Sequence, residues 1–212
     1  MNRHTCRNAI ESRPEMRGSI KTWIAVLLCM AFTNADAWVL TITPGARTVY
    51  LGVGNSTTNA ANATINLVSV TVPASVVGTG AVQAMTSNSA QANSPYDNFT
   101  VCVPPNQVYI GGYFREPSTT ANVASLQVNT PANLNNGVDT LPFTQISWTS
   151  TSIGNAGAAD IPAGTFNGAT VFLRNVTSNT YVENCHTFSY ANTNLVAAGV
   201  YNGRATYTMA SP

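Results

Sequence analysis

Charge is what this chain has least of. Only 8% of its 212 residues are Asp, Glu, Lys or Arg. From residue 38 onward there are four arginines (Arg47, Arg115, Arg174, Arg204), no lysine, three aspartates (Asp97, Asp139, Asp160) and two glutamates (Glu116, Glu183), a net charge of −1. Nucleic-acid binding rests on clustered Lys and Arg that neutralise phosphates, and that requirement is not met. The same scarcity argues against a patch that would hold an anionic membrane. Histidine is as rare: His4 and His186 are the only two. No grouping of His, Cys and carboxylates offers the three or four ligands of a zinc site, so neither metal nor cofactor is expected. The longest apolar run, Trp23–Phe32, is ten residues. A bilayer span needs about 20, so membrane insertion is not expected. There is no G-x-S-x-G, P-loop or Rossmann glycine pattern. The five acids from residue 38 onward single out no pair for glycoside hydrolysis. No catalytic residue is assigned, and no enzyme is expected.

What the chain does have begins at its first residues. Arg3, Arg7, Arg13, Arg17 and Lys21 precede the apolar run, and Ala35-Asp36-Ala37 closes it in an A-x-A cleavage pattern. This predicts a signal peptide over residues 1–37, with translation starting at Met1 or Met16. The mature chain 38–212 would then be exported to the periplasm and onward to the cell surface or the medium. Leu28 stands where lipoprotein signals take a small residue, which argues against a lipid anchor at Cys29. In an oxidising compartment the two remaining cysteines, Cys102 and Cys185, are expected to pair as a disulfide. A nucleophilic Cys185 with His186 is disfavoured, because adjacent strand residues point to opposite faces. His186 is instead expected to be a hydrogen-bonded structural residue. Asp97, Asp139 and Asp160 lie in turn-like segments. Four N-x-S/T sequons, at Asn55, Asn62, Asn98 and Asn175, are about what a mature chain with 21 Asn contains by chance.

Strand patterns recur throughout the mature chain, and almost no helix pattern is present. Trp38, Leu40 and Ile42 alternate with Val39, Thr41 and Thr43. Val49, Leu51 and Val53 alternate again. In the segment 65–72 the phase changes at Leu67-Val68, as at a bulge or a strand buried on both faces. Phe99, Val101 and Val103 form a further run, ending at Pro104-Pro105. Gln107–Phe114 contains Gly111-Gly112, which suggests a bulge or bend. Ala124, Leu126 and Val128, then Ile146 and Trp148, mark further faces, followed by segments 165–174 and 181–190. Nine or ten short strands separated by turn clusters predict an all-β fold, an antiparallel sandwich or barrel in a single domain over 38–212. The closing segment, Gly199–Pro212, alternates Tyr201, Ala205, Tyr207 and Met209 against Asn202, Arg204, Thr206 and Thr208. Its periodicity predicts one long amphipathic strand running to the end of the chain.

The signal peptide, the alternating start at Trp38 and the closing run from Ala197 to Pro212 resemble the subunits of bacterial chaperone–usher pili, in particular the archaic branch with the spore coat protein U domain. Gly199 stands fourteenth from the end, where many pilins carry glycine, whereas Ser211 replaces their penultimate aromatic. The resemblance implies an immunoglobulin-like β-sandwich that lacks its last strand. It implies a structural subunit of a pilus or fimbrium, handled by a periplasmic chaperone and an outer-membrane usher. Self-assembly with the same or related subunits would proceed by donor-strand addition. The donor residues would be Trp38, Leu40 and Ile42, and the acceptor strand would carry Gly199, Tyr201, Ala205, Tyr207 and Met209. Residues 38–43 could instead be the first strand of a complete sandwich. A second class also fits the composition: a secreted or surface carbohydrate-binding adhesin module in which Tyr109, Tyr113 or Trp148 stacks on sugar.

Overall fold

Thirteen strands and two single 3₁₀ turns make up the regular structure of the described residues. The computed structural model describes residues 41–55, 65–117, 121–151 and 160–212, so the leader, Trp38 and Leu40 lie outside it. The strands are β1 (Thr48–Val53), β2 (Val68–Ser69), β3 (Gln83–Ala84), β4 (Thr86–Ser87), β5 (Val108–Arg115), β6 (Val123–Asn129) and β7 (Asn133–Asn135), then β8 (Thr140–Pro142), β9 (Ile146–Thr151), β10 (Gly164–Thr165), β11 (Thr170–Thr177), β12 (Thr180–Tyr190) and β13 (Thr206–Ala210). The protein is all-β, and every strand pair is antiparallel.

Two sheets form the sandwich. The larger runs β1-β5-β12-β9-β10, with β3 beside the far end of β12; the smaller runs β11-β6-β13. Alternation decides which side chains meet between them. Ile110 and Phe114 of β5, Val182 and Phe188 of β12 and Trp148 of β9 enter one core with Leu126 and Val128 of β6. As the middle strand of its sheet, β6 is the most deeply covered: Ala124, Leu126 and Val128 are 0% exposed. The opposite face of β5 and β12 carries Tyr109, Tyr113, Tyr181 and Cys185, which form two smaller clusters on the outside of the large sheet.

The expected bulge at Gly111-Gly112 is absent: β5 pairs in continuous register with β1 and β12 through both glycines. The glycines are there for space instead. The buried Tyr109 ring folds back across Gly111, so that a Cβ there would lie 2.6 Å from the ring carbon Cζ and 2.9 Å from Glu183 Cβ. A Cβ on Gly112 would collide with the Tyr50 carbonyl and come within 3.0 Å of the Met209 methyl. Gly111→Ala is expected to cost about 1–3 kcal/mol, as overpacked cores do. Urea denaturation would measure it, and a loss below about 0.5 kcal/mol would mean the Tyr109 ring is free to move aside.

Three other expectations change. The segment 65–72 has no bulge; Asn66, Val68, Val70 and Val72 alternate inward without interruption, leaving Ile65 and Leu67 exposed. The run Phe99–Val103 is not a strand. Cys102 is its inward residue, Phe99 and Val103 are exposed, and the amides of Val101 and Cys102 both donate to the Ala92 carbonyl rather than to a ladder. Pro104-Pro105 follows immediately and offers no amide hydrogen to extend any pairing. The closing strand is five residues, not fourteen. Ahead of it the chain makes two 2.9 Å backbone bonds between Asn202 and Asn135 of β7, and its backbone at Gly203 presses on Phe143, 2.6 Å from where a Cβ would stand. Gly199 therefore lies in an exposed bend, outside any strand.

The disulfide Cys102–Cys185 is present, with its Cα atoms 5.5 Å apart. It fastens the loop of residues 88–107 to the outer face of β12.

Candidate interaction surface

The sandwich has one side on which both sheets end in an unpaired strand. Among the described residues β1 pairs only with β5, and β13 only with β6. Both edges lie on the same side. Met209 of β13 packs over Gly112, the β5 residue opposite Leu51 of β1. Arg47, just before β1, points its guanidinium at the Pro212 carbonyl, 3.5 Å away.

Alternation places the side chains of these two edges. Val49, Leu51 and Val53 of β1 face the sandwich interior and touch the main core, yet all three are only half-buried. Their outward-facing neighbour Tyr50 is the better covered, at 6% exposure. That inverts the usual arrangement, in which the inner face is the drier one. On the other edge Tyr201, Ala205 and Tyr207 are half-buried against the same core, and Met209 is buried. The Tyr207 hydroxyl is enclosed without a hydrogen-bond partner, and burial raises its pKa. Beyond the end of β1 the row continues through Val68, Val70 and Val72, again half-buried.

Of the acceptor residues expected from sequence, Tyr201, Ala205, Tyr207 and Met209 thus share one inward face, although only Tyr207 and Met209 belong to a strand. Gly199 does not join them. Of the donor residues, Ile42 is described and sits in its own domain. Its amide donates to the Asn179 carbonyl at 2.8 Å, and its side chain is buried against Tyr50 and Tyr181. The β1 half of the surface was not singled out from sequence. Its signal was the alternation at Val49, Leu51 and Val53, which shows a strand but not how well its face is covered.

The aromatics considered for sugar stacking divide. Tyr109 and Trp148 are core residues, 0% and 2% exposed, whereas Tyr113 is half-buried on the outer face. His186 is not hydrogen-bonded as expected. It is fully buried between the sheets, stacked on Trp148 at 5.8 Å between ring centres, and neither ring nitrogen has a partner. Asp97 accepts from the Phe99 amide in a turn, and Asp160 pairs with Arg174 at 2.9 Å. Among the described residues no three His, Cys, Asp or Glu side chains are grouped to hold a metal ion, and no helix is long and apolar enough to cross a membrane.

No family model, curated protein or solved structure matches this chain.

Proposed function

We propose that this protein is a structural subunit of a surface pilus or fimbrium, built by strand addition along the side where β1 and β13 end. The observation that carries the reading is the half-buried inner face of β1. Val49, Leu51 and Val53 point into the sandwich and still meet solvent, on a strand that has no second strand beside it among the described residues. A bare edge flanked by apolar side chains is a template for another chain. An extended segment added at the β1 edge would pair with its main chain and set alternate side chains against Val49, Leu51 and Val53, beside the β13 row. Each aliphatic side chain fully withdrawn from water contributes about 1.5–3 kcal/mol, so completing even part of these rows is worth several kcal/mol. A segment from an identical chain makes the contact head-to-tail, and such contacts propagate into open fibres. In this scheme a periplasmic chaperone covers the open side first, an outer-membrane usher exchanges it for the next subunit, and Trp38, Leu40 and Ile42 are the donated side chains.

The test is assembly of the mature chain 38–212. Wild-type protein is expected to form a ladder of oligomers on sizing and native gels. Trp38→Asp with Leu40→Asp puts charges on the donor, and Leu51→Glu puts one in the acceptor row; each is expected to abolish the ladder while leaving a folded monomer. A wild-type chain that refolds and stays monomeric at high concentration would overturn the reading.

A further inference from the structure

The outer face of the large sheet carries a tyrosine ladder that the strand-addition reading does not use. Tyr50 on β1 stands opposite Tyr113 on β5, which stands opposite Tyr181 on β12. Their rings are side by side, with centres 5.5 Å apart for Tyr50–Tyr113 and 6.1 Å for Tyr113–Tyr181. Tyr96, from the disulfide-tethered loop, stacks on Tyr181 at 4.8 Å and keeps 43% of its surface exposed. Below them the polar atoms are linked: the Tyr181 and Tyr109 hydroxyls lie 2.6 Å apart, and Tyr109 donates to Glu183 Oε2 at 2.8 Å. Burial raises the pKa of Tyr50 and Tyr181, so both hydroxyls stay protonated; Tyr181 donates to Tyr109, and Tyr50 is left able to donate.

Between these rings and Ile42 is a surface cleft of about 420 Å³ with Arg115 at its margin. Two observations mark it as built for a ligand. The first is Tyr50, a cleft-lining residue only 6% exposed, whose hydroxyl is buried with no hydrogen-bond partner. A buried hydroxyl left unpaired is costly, and a group entering the cleft would relieve it. The second is Arg115. Its Nε reaches the Ala46 carbonyl and its Nη2 the Thr48 hydroxyl, both at 3.3 Å, which holds the guanidinium in place. Among the described residues no carboxylate pairs with it; the two ion pairs belong to Arg47 with Glu116 and Arg174 with Asp160. In a chain with so few charges, an arginine held beside aromatic rings with no carboxylate partner among the described residues selects for an anion.

We propose that this cleft binds a carboxylate-bearing pyranose, such as a uronic-acid unit of an acidic polysaccharide. The carboxylate pairs with Arg115, the C–H face of the sugar lies against Tyr96 and Tyr113, and a ring hydroxyl meets Tyr50. The geometry favours this class over others. Inserting a planar aromatic between two rings needs a gap of about 7 Å, twice the contact distance, and the ladder is too tight for that. A bound peptide would draw on a strand edge, and the cleft lies over the faces of β1, β5 and β12. Its lining side chains offer hydroxyl groups and one cation, and with the carboxylates of Glu183 and Asp97 near Tyr50 and Tyr181, Arg115 is the point where a polyhydroxylated anion docks.

The cleft, Ile42 included, is complete in the unassembled chain, so the test uses the Trp38→Asp, Leu40→Asp chain, or wild-type protein if that does not assemble. Isothermal titration calorimetry with trigalacturonate is expected to show binding that weakens in 1 M salt, with no heat from neutral maltotriose. Arg115→Gln is expected to weaken trigalacturonate binding at least about tenfold, the loss of one charge-assisted contact. Tyr96→Ala, in the loop, is expected to weaken it several-fold even if Arg115→Gln disturbs the β1 edge. Tyr50→Phe separates binding from structure, since it should weaken binding without lowering the unfolding midpoint. No binding, equal binding of maltotriose, or affinity unchanged in both Arg115→Gln and Tyr96→Ala would each overturn the proposal.

Discussion

Replacing Cys102 and Cys185 together by alanine is expected to lower the stability of the domain by about 4–5 kcal/mol. The bridge spans 83 residues of sequence. In the chain-entropy account, a cross-link over a loop of that size removes about that much conformational freedom from the unfolded chain. The loss falls on a domain whose total stability is expected at about 5–15 kcal/mol, so the variant stands near its unfolding threshold at 37 °C. The effect is also local. Residues 88–107 contain no strand, and their main-chain pairing is confined to short links such as the Asn93–Thr100 bridge. The disulfide is what presses this loop onto β12. Pro95 and Tyr96 ride on the same loop, so the outer cleft is expected to lose its upper wall along with the bridge. Guanidinium denaturation of the oxidised protein and the double variant measures the first effect, and near-ultraviolet circular dichroism of the tyrosines the second. A difference below about 1 kcal/mol would place the stabilisation of this loop in its hydrogen bonds instead.

Between pH 6.5 and 3, His186 is expected to destabilise the folded state by an amount on the order of 4 kcal/mol. The imidazole is fully buried against Trp148 and Phe188 with no partner on either nitrogen, and burial pushes its pKa down to about 3. In the unfolded chain the same group takes its proton near pH 6.5. Below that point the unfolded state binds a proton that the native state refuses, so stability falls as the pH falls. The contribution is intact above about 6.5 and is lost progressively down to the folded value, at about 1.4 kcal/mol per unit. His186→Phe removes both the titration and two unsatisfied buried nitrogens. Its stability relative to wild type is therefore expected to rise steadily as the buffer is taken from pH 7 to pH 3. Parallel curves for the two proteins over that range would show that the imidazole is not sealed from solvent. Glu183 is displaced in the opposite sense: burial raises its pKa, against hydrogen bonds from Ser94 and Tyr109 that lower it. It is common to both proteins and drops out of the comparison.

Much of the sandwich was legible because a period of two is a local signal. Val49, Leu51 and Val53, and again Ala124, Leu126 and Val128, are read directly as strand faces, and the structure makes them so. The same signal misled at Phe99–Val103. Alternation of apolar residues does not reveal whether a neighbouring strand is available, and here a disulfide and two prolines hold the segment without one. It misled at Gly199 as well, since the pull of Asn135 and Phe143 on the chain is a long-range effect. Gly111 and Gly112 read as a bend because glycine signals both flexibility and close approach, and the sequence does not show that Tyr109 lies across them. The disulfide follows from an even cysteine count and an expected oxidising compartment, with no strand geometry needed. The tyrosine cleft was not. Tyr50, Tyr113 and Tyr181 lie far apart in the chain, and only the register of three strands brings them together. Nothing local in the sequence distinguishes Tyr113 from Tyr109, which is core.

Ile42 has a consequence for how a chain that lends its first residues would behave. Its amide is bound to Asn179 and its side chain is tucked beneath Tyr50 and Tyr181. The stretch from Trp38 to Leu40 spans only about 10 Å when extended, so a donor long enough to serve a neighbour has to release Ile42 as well. Home and neighbour compete for the same side chain. The home site is tethered, which gives it a local concentration of order millimolar, and a neighbouring molecule has to outbid that. Lending the segment also takes Ile42 out from among the tyrosines. Each molecule would then carry its own tally of assembly, an optical signal from Tyr50 and Tyr181 that changes when its leading residues leave home.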